Sequence, residues 1–385
     1  MDEVIYCDFL RRLCMKTLAE LLAELAANAR KNEHLIGLAE LLRPSELRPF
    51  GANPLGTNES KTTLAALAAM LNPVPPPATS ALLSFLAPDT GKKHMTVGER
   101  FQKFLANLML TTDQRSDGRI KHSGVRACLN RHYYGITSDS ANSLLVGSWG
   151  KLTEIRPPRD IDIMFILPYS VYERYQRISG NKQSQLLQEV KGVLQRTYST
   201  TSMRGDGQVV MVPFSSYAVE VLPAIKLTNG QYWICDTNAG GRYKTIDPTT
   251  EINHVHNSNN ATSGNTRDLI RMMKKWQGVC NVPLKSFCIE LLAIDFLSTW
   301  EYRGRTTVYY DWMVRDFFKY LIGKAYSYVF VPGTSESIYL GDAWKSRAES
   351  AYNRAKIACE HESENRPYSA GEEWQKIFGT YIPVG

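Results

Sequence analysis

Two aspartates stand one residue apart in the apolar run DIDIMFILP, at Asp160 and Asp162. Alternate residues of a strand share a face. The spacing therefore predicts two carboxylates pointing one way, with Ile161 and Ile163 pointing into an apolar layer. Carboxylates so close repel, and a divalent cation removes the repulsion. A site made of oxygens suits magnesium, which keeps several ligands for water and substrate phosphates. A third carboxylate, Glu220, lies in YAVEVLPAI between two valines. It is costly there unless paired or metal-bound; the competing reading is a solvent-facing residue of an edge strand. Together Asp160, Asp162 and Glu220 make a candidate two-metal site for phosphoryl transfer. One metal would clamp a triphosphate and the other would lower the pKa of an attacking hydroxyl. Gly147 and Ser148, in LLVGSWGK, predict a turn whose amides and hydroxyl meet the β- and γ-phosphates.

The elements that must hold these residues follow from periodicity. Upstream, GRIKHSGVRACLNRHYY at 118–134 reads as a long helix carrying Lys121, His122, Arg126 and Arg131. Downstream come a helix at SQLLQEVKGVLQRTY and strands at QVVMVPF and YAVEVLPAI. This alternation indicates an α/β core. Residues 225–262 read as a turn-rich hairpin region. His254 and His256 fall there in a polar loop without nearby cysteines, which argues against zinc. Tyr232, Trp233 and Tyr243 are aromatic candidates for stacking on a base, although core packing is the commoner fate of such residues. From Asn265 onward the pattern is mostly helical, beginning with TRDLIRMMKKWQ and SFCIELLAIDFLSTW.

The N-terminal region differs in kind. Leu10, Cys14, Leu18, Leu21, Leu22 and Leu25 predict a helix near 4–30, and PVPPPATS at 73–80 reads as a linker. A self-sufficient amphipathic helix opens at Met95, with Phe101, Phe104, Leu105 and Leu108 on one side. The expected organisation is an N-terminal helical extension and Pro-rich linker at 1–94, dispensable for activity, then a catalytic core at 95–262 and a helical domain at 263–385.

The bulk properties narrow the function classes. The chain has 385 residues, 43% hydrophobic and 22% charged, which argues against disorder along its length. A net charge of +7 suits polyanionic partners, though solubility alone would also account for it. Seven cysteines without paired CxxC spacing argue against a disulfide framework and fit a reducing, cytoplasmic setting. No apolar run approaches the roughly 20 residues that span a bilayer, so no membrane association is expected.

The pattern GS, eleven residues, DxD and a following hhExhP strand resembles the DNA-polymerase-β-like nucleotidyltransferase fold. More specifically, the chain resembles the bacterial cGAS-like enzymes of anti-phage signalling, in the oligoadenylate-synthetase branch. SWGKLTEIRPPRDIDI is similar to those enzymes almost throughout, and MTVGERFQKFLANLML resembles their opening helix. LIRMMKKWQ followed by PLKSFCIELLAIDF resembles two segments of their helical domain. The likeness covers 95–385 and not 1–94.

The resemblance implies an α+β fold, with a nucleotidyltransferase core and a C-terminal helical domain closing the cleft. It assigns Gly147 and Ser148 to the donor phosphates and Asp160, Asp162 and Glu220 to the metals. Many relatives carry Asp where Glu220 stands. Lys274 matches the lysine that meets the donor triphosphate, Ser286 a polar residue beside it, and Arg271 lies one turn before Lys274. The competing reading of these cations is a solvated helix face. Thr153 is a candidate contact to donor phosphate or acceptor ribose.

The implied cofactor is magnesium, two ions, with manganese able to substitute. The implied partners are nucleoside triphosphates, ATP and/or GTP, and an effector reached through the product. The expected activity is synthesis of a cyclic di- or trinucleotide. The alternatives are a template-independent RNA or oligoadenylate-type nucleotidyltransferase and a non-catalytic nucleotide-binding regulator. The chain ends FGTYIPVG, which predicts a protruding tail; an ordinary frayed end is the commoner fate of such a segment, and the resemblance offers a ubiquitin-like conjugation partner at Gly385 as the alternative.

Overall fold

A computed structural model describes residues 95–385; the expectations for 1–94 lie outside the described residues. Helix α1 (Val97–Leu108) starts on a capping box between Thr96 and Glu99. Helix α2 (Thr112–Tyr134) starts on a second one between Thr111 and Gln114 and ends at Gly135 in the left-handed conformation. The capping residue, not the apolar pattern, explains why α2 begins six residues before the expected 118.

Strand β1 (Ser143–Leu145) and the short helix α3 (Gly147–Lys151) lead through a loop to β2 (Asp160–Ile166). Helices α4 (Tyr169–Gln176) and α5 (Lys182–Thr197) follow, then β3 (Arg204–Asp206), β4 (Val209–Pro213) and β5 (Ala218–Lys226). Strands β6 (Tyr232–Asp236) and β7 (Arg242–Ile246) form the expected hairpin. The rest of the expected turn-rich region is a helix, α6 (Pro248–Ala261). Its start is chemical: the Asp247 side chain accepts from Thr250 N–H and Pro248 occupies the first turn. His254 and His256 therefore lie on a helix and not in a loop.

The sheet runs β1-β2-β5-β4-β3, with β6 pairing β5 and β7 pairing β6. Only β2 and β5 pair in parallel; the other pairs are antiparallel. β5 is central, bonded to β2 on one side and to β4 and β6 on the other. The edge-strand reading of Glu220 is thus excluded. One face of the sheet carries Ile161, Ile163, Phe165, Val219 and Val221, packed with Val125 and Leu129 of α2 and Leu186, Leu187 and Val190 of α5. Trp233 and Tyr243 stack on each other at 5.7 Å between ring centroids against this same cluster. Tyr232 is buried in a small cluster on the other face with Met164 and Ile234.

The helical part comprises α7 (Asn265–Val279), α8 (Ser286–Thr299), α9 (Tyr310–Ile322), a hairpin of β8 (Tyr328–Phe330) and β9 (Ser337–Tyr339), α10 (Lys345–Ser363) and α11 (Pro367–Phe378). Its core includes Met273, Trp276, Ile289, Phe317, Trp344 and Trp374. Phe101, Phe104 and Leu108 of α1 belong to this core rather than to the sheet. The first described helix and the last ones thus close on each other.

The C-terminal tail does not protrude as expected. Ile382 is fully buried. Arg100, also fully buried, donates through Nη1 to the carbonyls of Pro383 and Val384 at 2.7 and 2.6 Å, and through Nε to Glu362 at 3.0 Å. A buried guanidinium requires acceptors, and the tail carbonyls supply two of them. Gly385 itself is exposed.

Candidate active site

Burial alternates along β2: Ile161 and Ile163 are fully buried, Asp160 is exposed and Asp162 is half-buried. The same alternation surrounds Glu220 on β5, between the buried Val219 and Val221. The parallel register sets Asp162 opposite Glu220. Side chains at paired positions of neighbouring strands project to one side. All three carboxylates therefore gather on the face away from α2 and α5.

The turn at Gly147 is built against this face. Gly147 adopts φ +54°, and a Cβ there would collide with the Asp162 carboxylate. Only glycine lets the chain pass so close in this conformation. Val146 N–H donates to the Asp162 carbonyl at 3.0 Å. Trp149 anchors α3 in the sheet core, and Gly118 of α2 leaves room for its ring; a Cβ at Gly118 would come within 2.6 Å of it. Ser148, half-exposed, lies at the start of α3 beside this turn.

The electrostatics are only partly compensated. Burial, then Asp162, then Asp160 push the Glu220 carboxyl up to about 7. The Asp162 carboxyl is also raised, by burial first and then by Asp160, against the fields of Lys151 and Lys274. Crowded acids with raised pKa values mark a place prepared for positive charge. The donor set is hard oxygen, and the bare backbone at Gly147 lets the phosphate-side turn lie directly against the Asp162 carboxylate. Both features fit magnesium. Among the described residues no three His, Cys, Asp or Glu side chains already converge as a closed cage would require. Magnesium held by one or two carboxylates plus phosphates needs no such cage.

A second charged cluster joins the sheet to the helices. Lys151, at the end of α3, pairs with Glu290 of α8 at 2.9 Å, and Lys274 of α7 pairs with the same carboxylate at 2.6 Å. Burial alone would raise Glu290, but Lys274 and Lys151 outweigh it and hold the carboxyl at about 2. Lys274 is not on a solvated helix face: its side chain is 12% exposed. Thr153 is fully buried; its hydroxyl accepts from Lys274 at 2.8 Å and donates to Glu290 at 3.4 Å. In this structure the Thr153 hydroxyl, a candidate contact to phosphate or ribose, is engaged by Lys274 and Glu290.

Two other expected phosphate ligands are also occupied. Arg271 binds Asp268 at 2.9 Å and the Leu152 carbonyl at 2.7 Å, tying α7 to the loop before β2. Ser286 donates to Gln277 at 2.6 Å. Lys151 and Glu290 escaped sequence reading. The signal for Glu290 was a lone carboxylate in the otherwise apolar stretch CIELLAI, which demands a buried cation.

Residues 95–259 match the model of the SMODS domain, the second messenger oligonucleotide or dinucleotide synthetase domain. The chain is 22% identical over 274 residues to a probable cyclic nucleotide synthase of Bacillus cereus strain VD146, a match covering 62% of this chain and 81% of that protein. Over residues 95–259 the chain is thus similar to the bacterial cGAS-like nucleotidyltransferases. The solved structure of Escherichia coli MS115-1 CdnC with ATP has a similar fold, with a TM-score of 0.56 at 16% identity, over 75% of this chain and 99% of CdnC. So does Vibrio cholerae DncV in complex with GTP and 5MTHFGLU2, with a TM-score of 0.59 at 12% identity, over 76% of this chain and 97% of DncV. At such identities the two structures speak to fold alone. The fold they share with this chain is the α+β core followed by helices described above.

Proposed function

We propose that this nucleotidyltransferase makes a cyclic di- or trinucleotide second messenger from nucleoside triphosphates, ATP or GTP among them, in a magnesium-dependent reaction. The observation that carries the reading is the crowding of Asp160, Asp162 and Glu220 on one face beside the Gly147–Ser148 turn. When bound at those carboxylates, magnesium (or manganese in its place) would neutralise triphosphate charge and make the acceptor hydroxyl easier to deprotonate. The amides and hydroxyl of Gly147–Ser148 orient the donor phosphates. Lys274, held by Thr153 and Glu290, adds a positive charge of fixed position. The acceptor hydroxyl oxygen attacks the donor α-phosphorus, its proton passes to the Glu220 carboxylate, and diphosphate leaves with the broken P–O bond. A second transfer in the same site closes the ring. The product would then activate an effector protein in anti-phage defence.

A large basic appendage would favour the RNA-directed alternative, and the moderate basic cluster at 119–131 does not form one. His122 and Arg126 of that cluster are buried, and Arg126 is spent on Ser143 and the Ser140 carbonyl. A non-catalytic regulator has no use for three carboxylates that destabilise one another. Conjugation at Gly385 would require the Arg100 clamp to release the tail, since Pro383 and Val384 are held by it.

The test is to incubate the purified protein with labelled ATP, GTP, CTP and UTP and magnesium, and then to treat with phosphatase. A phosphatase-resistant, magnesium-dependent product of two or three linked nucleotides is the expected result. Complete conversion to inorganic phosphate across all mixtures would refute the reading.

A further inference from the structure

A second cationic place lies beside the carboxylates. The loop before β2 and the C-terminal half of α7 enclose a cavity of about 220 Å3, whose charged lining is Arg156, Arg159, Lys274 and Lys275. Among the described residues no acidic one lines it. Lys274 has Glu290 as a partner. The other three cations have no carboxylate within ion-pair distance among the described residues. Lys275 is almost fully buried; its Nζ donates to the Arg156 carbonyl at 2.9 Å and sits 3.3 Å from the centroid of the Tyr381 ring. Arg156 spends Nη2 on the Ala106 carbonyl, while its Nε is buried with no hydrogen-bond partner.

This arrangement is expensive without an anion. Burial, then Arg159, then Arg156 depress the Lys275 ammonium to about 8. A cluster of like charge around the buried Lys275, with an orphaned buried donor on Arg156, is the inverse of the carboxylate face, and it calls for negative charge. The cavity is smaller than the roughly 300–1,000 Å3 of sites for drug-sized ligands. A whole nucleotide does not suit it, whereas a compact polyanion does. Arginine forks and lysine point charges are the usual pairing for phosphoryl oxygens.

We infer that this cavity is a docking site for inorganic diphosphate, the group released by each nucleotidyl transfer. The cavity's preference for a compact polyphosphate stands on its lining; the naming of diphosphate as the reaction's own product rests on the proposed function. Lys274 lines the cavity and also forms part of the donor-side cluster, so it connects the two places. The leaving group would move from the metal-bearing face toward Arg159 and Lys275 and clear the site for the second transfer.

The experiment is calorimetric titration of the full chain with inorganic diphosphate in the presence of EDTA, so that no metal mediates binding. Two variants report on the cavity without disturbing buried contacts. Arg159→Gln removes an exposed cation. Gly278→Glu places an acid on an exposed position whose Cβ would stand 3.3 Å from Arg159 Nη2. Each should weaken diphosphate binding tenfold or more, and AMP should bind far more weakly than diphosphate to the unaltered protein. Absence of binding overturns the inference. So does equal binding of AMP, and so does binding that ignores both variants but falls with Ser148→Ala, which would put the anion at the donor turn. A protein that binds diphosphate as described yet forms no linked nucleotide sinks the proposed reaction and leaves the cavity standing.

Discussion

The carboxylate face of the sheet and the Lys151–Glu290–Lys274 cluster are both partly or wholly buried, and their acids behave in opposite ways. Glu220 is pushed up to about 7, whereas Glu290 is held at about 2. Burial opposes ionisation in both. The difference is company: Glu220 faces two aspartates, while Glu290 faces two lysines within 2.9 Å. The first arrangement sets three carboxylates together, where burial, Asp162 and Asp160 all raise Glu220, the feature on which the proposed cation site rests. The second is complete within the chain and works as a joint between α3, α7 and α8. A buried charge with its counter-charge supplied locally is structural; one without it is waiting for a ligand.

Substitutions should separate these two behaviours. Asp160→Asn or Asp162→Asn is expected to lower turnover a thousandfold or more, about 4 kcal/mol of transition-state stabilisation. The same changes should keep or raise thermal stability, because they relieve repulsion. Turnover retained in the double variant would remove the metal site from the argument, and a large loss of Tm would mean that the carboxylates are structural after all. Glu290→Gln should do the reverse. It leaves Lys151 and Lys274 buried without a counter-charge, a change worth about 3–5 kcal/mol against the fold. Denaturant unfolding would measure it, and an unchanged midpoint would show that the lysines find water. Lys274→Ala should raise the KM for triphosphate. It should also lower stability, because Lys274 is paired at 2.6 Å rather than solvated. If only KM moves, the joint is held by Lys151 alone.

Much of the carboxylate face was legible from strand periodicity, because that rule is local. Alternation in DIDIM fixes which way Asp160 and Asp162 point, and the same rule serves for Glu220 in AVEVL. Their pairing across β2 and β5 is not local, since 57 residues of helix, strand and loop separate Asp162 from Glu220 in chain order and nothing in that stretch announces a parallel register. The joint was harder still. Lys151 and Glu290 are 139 residues apart, and each looks ordinary by itself. The tail misled for a related reason: Pro383 and Gly385 resemble the end of a frayed segment, but Arg100, 283 residues earlier, supplies the donor that pins it. Local rules place side chains on faces; long-range partners decide which of those side chains remain free.

The smallest effect concerns a third buried carboxyl, which tests whether lack of company alone marks a ligand site. Asp311, at the start of α9, is pushed up to about 7 by burial first and by Glu362 second, and its Oδ1 has no hydrogen-bond partner. It lies on no sheet face and beside no phosphate turn; its charged neighbours are Glu362, which raises it, and Arg315, which opposes the rise, next to the Cys359 thiol. It should therefore be a stability liability and not a binding group. The sign follows from linkage. The folded carboxyl retains a proton that the unfolded chain, with a value near 3.8, has already lost. The stabilisation from that retained proton is fully present below the unfolded value and fades as pH rises through about 7. Asp311→Asn removes the titration. Its Tm should exceed that of the unaltered protein by a few degrees at pH 8 and differ little at pH 5. Nucleotidyl transfer at pH 6, where both forms are folded, should be unchanged. A Tm difference independent of pH would show that Asp311 is satisfied by water. A loss of turnover would mean that this carboxyl, too, belongs to the chemistry.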